Sequence, residues 1–453
     1  MESACMAVMT PECLAELSSR GPRYTSYPPA TEFGPVAQAR VLRELADQTE
    51  AVALYVHVPF CRSLCWYCGC NVIPTRDTSR SEHYIDTVAT ELAIVADALG
   101  VGHAVSEVAL GGGSPNFLSS KAMRTLMAAI RSCFAVDADA RLSVELDPRD
   151  TTSTQLDAYA AAGFRALSVG VQDFSPAVQD AIHRHQSEVQ TAWLIDRARA
   201  AGFTDVNTDI VYGLPRQTEE SFLRTIDSVI ALAPDRIALF GYAHLPDKLP
   251  HQRLVERAGR VLDRYERATL LLAAIDQLAA AGYVHLGLDH FAKPGSPLAR
   301  AANEHRMVRT FQGYVEHRSD TILGFGVSAI SSTPRMYWQN HAELAPWERE
   351  IAEARLPIDR GAVLDQDDCI RRVLIERLMC DGEIALDSLA TRFGIDPIAY
   401  FSAELGALAT DLATFDPEAR TIRATPMGKL LVRNICMTFD RYHRDGSRFS
   451  STI

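Results

Sequence analysis

Four of the chain's ten cysteines fall in one run, Cys61-Arg62-Ser63-Leu64-Cys65-Trp66-Tyr67-Cys68-Gly69-Cys70. Three thiolates at the spacing of Cys61, Cys65 and Cys68 suit an iron-sulfur cluster, because thiolate is the preferred ligand of such clusters and a loop can wrap one face of a cube. A structural zinc site and simple core packing are the competing readings. Structural zinc generally takes four protein ligands on paired CxxC knuckles, and the chain has no second pair. The other six cysteines (Cys5, Cys13, Cys133, Cys369, Cys380 and Cys436) are scattered, and free cysteine behaves as a small hydrophobe, so packing is expected of them.

A second cluster of chemistry-bearing residues follows downstream. Gly111-Gly112-Gly113-Ser114-Pro115 offers backbone that a ligand can approach closely, although glycines also serve ordinary tight turns. Glu145 and Asp147, then Gln172 and Asp173, then Asp209, are polar residues at the ends of otherwise apolar runs. Buried carboxylates raise the free energy unless paired or ligand-bound, so as a set they read as a site. Each alone reads equally as a core hydrogen-bonder.

The elements that must position these residues are legible as a repeat of order. Short β-branched runs alternate with long amphipathic stretches, the pattern of βα units around a parallel sheet. Residues 51–58, 105–110, 142–146, 166–171, 206–212 and 236–242 are nearly all apolar, as strands buried on both faces should be. Helices are expected over 81–98, 121–134, 154–162, 189–201 and 219–233. Ala162-Gly163-Phe164, Ala201-Gly202-Phe203 and Ala281-Gly282-Tyr283 read as repeated helix-to-strand turns. The fold class is thus α/β, with six βα units that fit a TIM-like barrel, whose active sites collect at the C-terminal strand ends. Three regions are expected: an extended, proline-interrupted segment over 1–35 that covers the active site, the catalytic barrel and its extension over 36–360, and a purely helical domain over 361–453, of winged-helix kind. In the last, helices are expected at 369–380, 386–393 and 422–433.

Composition removes several classes of function. Hydrophobic residues at 47% and charged residues at 23% of 453 argue against disorder. A net charge of -12 without a basic block disfavours nucleic-acid binding. Residues 1–20 lack a basic region followed by an apolar stretch, and no uncharged apolar run reaches spanning length, so a cytoplasmic protein without a membrane segment is expected.

Read in order, the motifs GPRYTSYP, YVHVPFC, CGCN, GGGSP, VELDPR, GVQDF, DIVYGLP, YAHLP, GLDHFA, FQGY, GVSAIS and RNICMTFD make the sequence resemble the oxygen-independent coproporphyrinogen III oxidase family of radical S-adenosylmethionine (SAM) enzymes, over nearly its whole length. The resemblance implies a partial barrel opened to six βα units and a 4Fe-4S cluster on Cys61, Cys65 and Cys68, with two SAM molecules close by. The first would touch Tyr55, Glu145 and Ile330. The second would touch Tyr67, Gly113, Ser114, Gln172, Arg184, Asp209 and Ala243, while Gly112 lines the same site. Cys70 would lie beside the second SAM in a catalytic role and not as a cluster ligand. The implied reaction converts two propionates of coproporphyrinogen III to vinyls by way of a 5'-deoxyadenosyl radical, with an unidentified electron donor and acceptor and a monomeric enzyme. For the propionates the chain offers Arg23, Arg184, His290, Lys293 and Arg309, and Phe311-Gln312 is expected to border the site. A haem-binding chaperone and another porphyrin-modifying radical SAM enzyme are the alternatives; chaperone relatives generally lack the Cys70 extension and the GPRYTSYP segment, both present here.

Overall fold

Six apolar runs become six adjacent parallel strands in the computed structural model, which describes residues 9–316, 319–444 and 449–453. They are β1 (Val52–Val58), β2 (His103–Gly112), β3 (Phe134–Leu146), β4 (Ala166–Gln172), β5 (Asp205–Tyr212) and β6 (Arg236–Gly241), each paired in parallel with the next. Residues of β1 and β5 are buried on both faces because helices cover one side and the enclosed barrel interior lies on the other. The connections are α1 (Ser79–Leu99), α2 (Ser120–Cys133), α3 (Ser153–Ala162), α4 (Glu188–Ala201) and α5 (Glu219–Ala231).

The ends of these helices follow from their cap residues. Thr152 with Gln155 and Ser187 with Gln190 form reciprocal capping boxes at the starts of α3 and α4. Both helices stop at a glycine with φ +103°, Gly163 and Gly202, a conformation that favours the absence of a Cβ. The buried Phe164 and Phe203 then return the chain to the sheet.

The sheet runs on past both edges of this unit. Ile322–Phe325 pairs in parallel with β1, and Ile330–Ser332, Met336–Asn340 and Ile358–Val363 add on antiparallel. At the other edge His290–Ala292 pairs with β6, followed by Val284–Gly287. The order of the twelve strands is linear, so β6 and β1 do not pair and the barrel is open.

Two expectations change at the termini. Residues 1–35 are not wholly extended: Pro11–Leu17 is a helix, begun by Thr10, whose side chain accepts from Cys13 N, and held by the fully buried Leu14. Beyond the barrel the chain is not purely helical. Helices occupy Gln366–Asp381 and Asp387–Phe393, but the expected helix at 422–433 begins as a strand. Thr421–Ala424 alternates inward and outward and pairs with Glu383–Ala385 and Ala413–Asp416. Pro426, capped by Thr425, admits a helix only after that point.

Hydrophobic side chains bind the pieces together. Leu14, Tyr24 and Tyr27 from the N-terminal segment share one apolar cluster with Ile210 and Leu239 of β5 and β6 and with Leu374, Phe401 and Phe439 near the C-terminus. The terminal regions are therefore part of the barrel's second half in packing terms. Cys380 and Cys436 are buried and Cys13, Cys133 and Cys369 partly so, in line with packing; Cys5 lies outside the described residues.

Candidate active site

The loop after β1 carries the cysteines, and it is fastened along its length. Ile73 N donates to Pro59 O at 2.7 Å and Thr75 N to Cys61 O at 2.8 Å, closing the loop at its base. Trp66 N donates to Ile182 O at 2.9 Å, and the Trp66 ring stacks on His183 at 5.1 Å. His251 reaches Cys68 O at 2.8 Å, and Gln252 Nε2 donates to Tyr67 O at 3.0 Å and Ala243 O at 3.1 Å.

Two adjoining cavities meet this loop at the C-terminal strand ends. The smaller, about 170 Å3, is lined by Cys61, Cys65, Cys68, Gly112, Gly113, Ser114, Asp147, Arg149 and Arg184, among others. The larger, about 580 Å3, runs into the barrel past Tyr55, Ala243, Arg23, His290, Phe311 and Gln312. Tyr67, Cys68, Cys70, Glu145, Ser168, Gln172 and Asp209 line both. Of the residues that the family resemblance places on the cluster or on SAM, all but Ile330 reach one cavity or the other. Ile330 lies on the strand two ladders from β1 and packs near Phe33 and Tyr337.

The glycines are a cradle that a side chain would fill. A Cβ on Gly113 would sit 2.7 Å from the Pro59 carbonyl, and one on Gly112, where φ is +112°, would meet the His57 ring at 2.6 Å. His57 accepts from Tyr55 OH at Nδ1 (3.2 Å) when its Nε2–H donates to Asn71 O (2.9 Å). The imidazole thereby ties β1 to the residue just after Cys70, a link that no sequence pattern announced. Ser114 bonds Asn116, which also accepts from Asp147 N.

The carboxylates divide by partner. Glu145 and Asp209 face the cavities. Burial, and next the nearby Asp209 charge, push the Glu145 carboxyl up to about 7, and burial raises Asp209 although Ser168 and Asn207 donate to it at 3.0 and 2.7 Å. Asp147 goes the other way: despite burial, Arg184 and Arg149 hold it well below the usual carboxylate range. Asp173 lines neither cavity and is bonded by Gln217 at 2.7 Å, Thr225 at 3.2 Å and Ser175 N at 2.7 Å. It is a core anchor for Gln172, which sits at φ +67° where the β4–β5 ladder breaks.

The thiols are shaped by each other and by two guanidiniums. Burial, then Cys68 and Cys65, push Cys61 up to about 12. A hydrogen bond from Cys70 draws Cys68 down to about 7, and the same pairing holds Cys70 well above the ordinary thiol range. Among the described residues, no three His, Cys, Asp or Glu side chains converge as a single ion would need. The donor set of three thiols lining one cavity, with cations against one sulfur and a glycine cradle beside them, fits a cluster with a polar ligand on it.

Among the available cations the geometry discriminates. Arg23 lines the larger cavity, with Nη2 donating to Gly241 O at 3.0 Å. His290 lines it as well, its Nδ1–H on Asp289 at 2.6 Å. Arg309 stands behind them, donating to Arg23 O at 3.1 Å and lying 3.6 Å from Asp289. Lys293 is turned away, onto Ala233 O at 2.6 Å. Sequence patterns did not mark the deep wall of the cavity, where Arg141 bridges Glu107 and Asp205 at 3.0 Å each and Arg236 meets Asp205 at 2.9 Å. Lone arginines in or beside strands are too common to signal this.

Comparison with known proteins agrees with this architecture. Residues 55–229 match the radical SAM superfamily. The oxygen-independent coproporphyrinogen III oxidase of Pseudomonas aeruginosa is 39% identical, with 96% of each chain covered, and that of Escherichia coli K12 is 40% identical, with 94% of each covered. The solved structure of coproporphyrinogen III oxidase from Escherichia coli, a radical SAM enzyme, superposes with a TM-score of 0.89 at 39% identity, covering 93% of this chain and 98% of that one. With identity of this order sustained from end to end, the chain belongs to the oxygen-independent coproporphyrinogen III oxidase family of the radical SAM superfamily.

Proposed function

We propose that this protein performs the oxygen-independent oxidative decarboxylation of two propionate side chains of coproporphyrinogen III to vinyls, giving protoporphyrinogen IX in haem biosynthesis. The observation that carries the reading is the junction of the three-thiol cavity with the larger one, whose linings share the carboxylates Glu145 and Asp209, with Arg23 and His290 in the larger. When bound, the cluster and SAM supply a carbon-centred radical able to take a hydrogen from the propionate β-carbon. Each vinyl formed releases one hydrogen atom, one carbon dioxide and one electron.

The chain's own residues position and enclose. Cys61, Cys65 and Cys68 would hold the cluster beside the cavity that takes SAM. Backbone at Gly112, Gly113 and Ser114 receives the methionyl part. Glu145 and Asp209, raised by burial, accept hydrogen bonds from ribose hydroxyls and ammonium, and a cationic ligand draws them back to the ionised form. The joined cavities would take two SAM molecules, one near Tyr55 and Glu145, with Ile330 outside the lining, the other near Tyr67, Gly113, Ser114, Gln172, Arg184, Asp209 and Ala243, with Cys70 beside it. Arg23 and the His290–Asp289 pair meet propionates by charge-assisted hydrogen bonds. The N-terminal segment around Arg23, with Phe311 and Gln312, covers the site and excludes water. The enzyme works as a cytoplasmic monomer served by an external one-electron donor and an electron acceptor.

The test is anaerobic turnover of the reconstituted protein with SAM, dithionite and coproporphyrinogen III, read by mass spectrometry. Protoporphyrinogen with about one 5'-deoxyadenosine per propionate lost, as a consumed SAM requires, is expected. Cleavage of SAM with the porphyrinogen left intact would sink the substrate assignment.

A further inference from the structure

Arg149 stands two residues beyond Asp147, in the turn after β3. Asp147 grips it from several directions: the carboxylate accepts from Arg149 Nε at 3.0 and 3.1 Å, from Nη2 at 2.6 Å, and from the Arg149 backbone N at 3.0 Å. Held in that plane, the guanidinium extends Nη2 to within 3.6 Å of Cys65 Sγ. Arg184 donates to the same sulfur at 3.6 Å while also bonding Asp147 at 3.1 Å and Gly170 O at 2.7 Å. Cys65 is the one buried thiol of the three, at 7% exposure. Two cations and one carboxylate leave a net positive charge against it, in a cavity where water screens little.

We infer that Arg149 is a positioning residue which, through its N–H···S bond to Cys65, sets the reduction potential of the cluster and so eases entry of the single electron on which the reaction depends. The inference rests on the cluster reading of Cys61, Cys65 and Cys68. One electron passes from a low-potential donor to the cluster, and no bond at Arg149 is made or broken. The reduced cluster carries one more negative charge than the oxidised one and its sulfurs are better acceptors. A donor N–H and a cation therefore stabilise the reduced form more, which makes the potential less negative. Arg184 shares this contact but also belongs to the proposed SAM site, whereas Asp147 directs Arg149 onto the sulfur. Arg149 is the arm that separates potential from SAM binding.

The experiment is an EPR-monitored redox titration of the anaerobically reconstituted full chain, with iron and sulfide counted first. Arg149→Gln is expected to keep its iron and to shift the midpoint to more negative potential, lowering the reduced-to-oxidised ratio at fixed potential by about tenfold, or about 59 mV for a one-electron couple. Arg149→Lys should fall between. Arg62→Gln, which removes an exposed cation 3.8 Å from Asp150, should titrate as the parent does. In deuterated buffer, pulsed EPR of the reduced parent should show an exchangeable deuteron coupled to the cluster that weakens in Arg149→Gln. An iron-replete Arg149→Gln with an unchanged midpoint would overturn the inference. If that variant loses iron, the Arg149→Lys midpoint and the deuteron coupling decide in its place. Full iron retention in Cys65→Ser would instead overturn the cluster reading itself.

Discussion

Residue by residue, the site separates groups that must be charged from groups that resist it, and this yields tests on single side chains. Cys61→Ser or Cys68→Ser should lose most cluster iron and all turnover, while Cys133→Ser, on the outer helix α2, should keep both; iron analysis and the anaerobic assay read this directly. Glu91 offers a pH test away from the cysteines. Burial pushes it up to about 7, although Gly326 N, Asn340 and Trp347 Nε1 all donate to it at 2.8, 2.6 and 3.2 Å. An unfolded glutamate gives up its proton near the ordinary value of 4.5. Between there and about 7 the folded state binds the extra proton, so stability falls as pH rises through this window, by roughly 3 kcal/mol when complete. Glu91→Gln should be less stable than the parent at pH 5, because one amide cannot accept from all three donors, and should lack that share of the pH dependence. Denaturant titrations of both proteins from pH 5 to 8 measure it; parallel curves would contradict the assignment.

At the level of the element, the glycine turn after β2 is where backbone and ligand compete for the same space. Gly112→Ala adds a Cβ at φ +112° and 2.6 Å from the His57 ring, which should lower stability by about 2 to 4 kcal/mol from strain and overpacking together and displace the Asn71 end of the cysteine loop. Gly394→Ala, at φ +67° with open space around it, should bring only about 1 kcal/mol of conformational strain. Thermal melts and iron content of the pair separate the two causes. The strands and five connecting helices were legible because burial on both faces writes continuous apolar runs and capping residues punctuate them, but of β3 only 142–146 could be read, since residues 135–141 are exposed or half-buried. Thr421–Ala424 was not: four residues are too few for alternation to stand out against the helical pattern around them. In the site, the cysteine spacing and strand-end carboxylates could be read from local order. The Arg149 contact to Cys65 could not, since it joins positions 84 apart through the turn that Asp147 shapes, and Asp173 resembled a site residue until its side chain was seen bonded into the core. Arg23 and His290 were visible only as two of five candidate cations, because which cation faces a cavity is decided by tertiary packing.

Across the whole molecule, the stretch around Arg23, which lines the larger cavity, is bolted to the C-terminal segment. Arg433, buried, donates to Pro22 O at 2.8 Å, to Ser451 O at 2.7 Å and to Gly21 O, and burial, then the charges of Arg23 and Arg309, lower its guanidinium to about 9. Tyr24 OH donates to Asp440 at 3.0 Å alongside. Arg433→Ala strands several buried carbonyls at about 1 to 3 kcal/mol each, so trypsin should cut at Arg20 and Arg23 much faster, with cluster iron retained; unchanged cleavage would show that the apolar contacts of Leu14 and Tyr27 suffice.

A closed barrel has its girth dictated by strand number and stagger, and widening it means tearing a ladder of backbone hydrogen bonds. Here β6 and β1 never join, and the wall near Arg23 and His290 includes Phe311, Gln312 and Tyr314, side chains from a hairpin outside the main sheet. Admission of a broad, flat guest therefore means parting side-chain contacts alone, while the strands that aim the cysteines, Glu145 and Asp209 stay locked. Aperture and aim are mechanically independent, so the doorway can yield to a macrocycle without loosening the grip on the reactive centre.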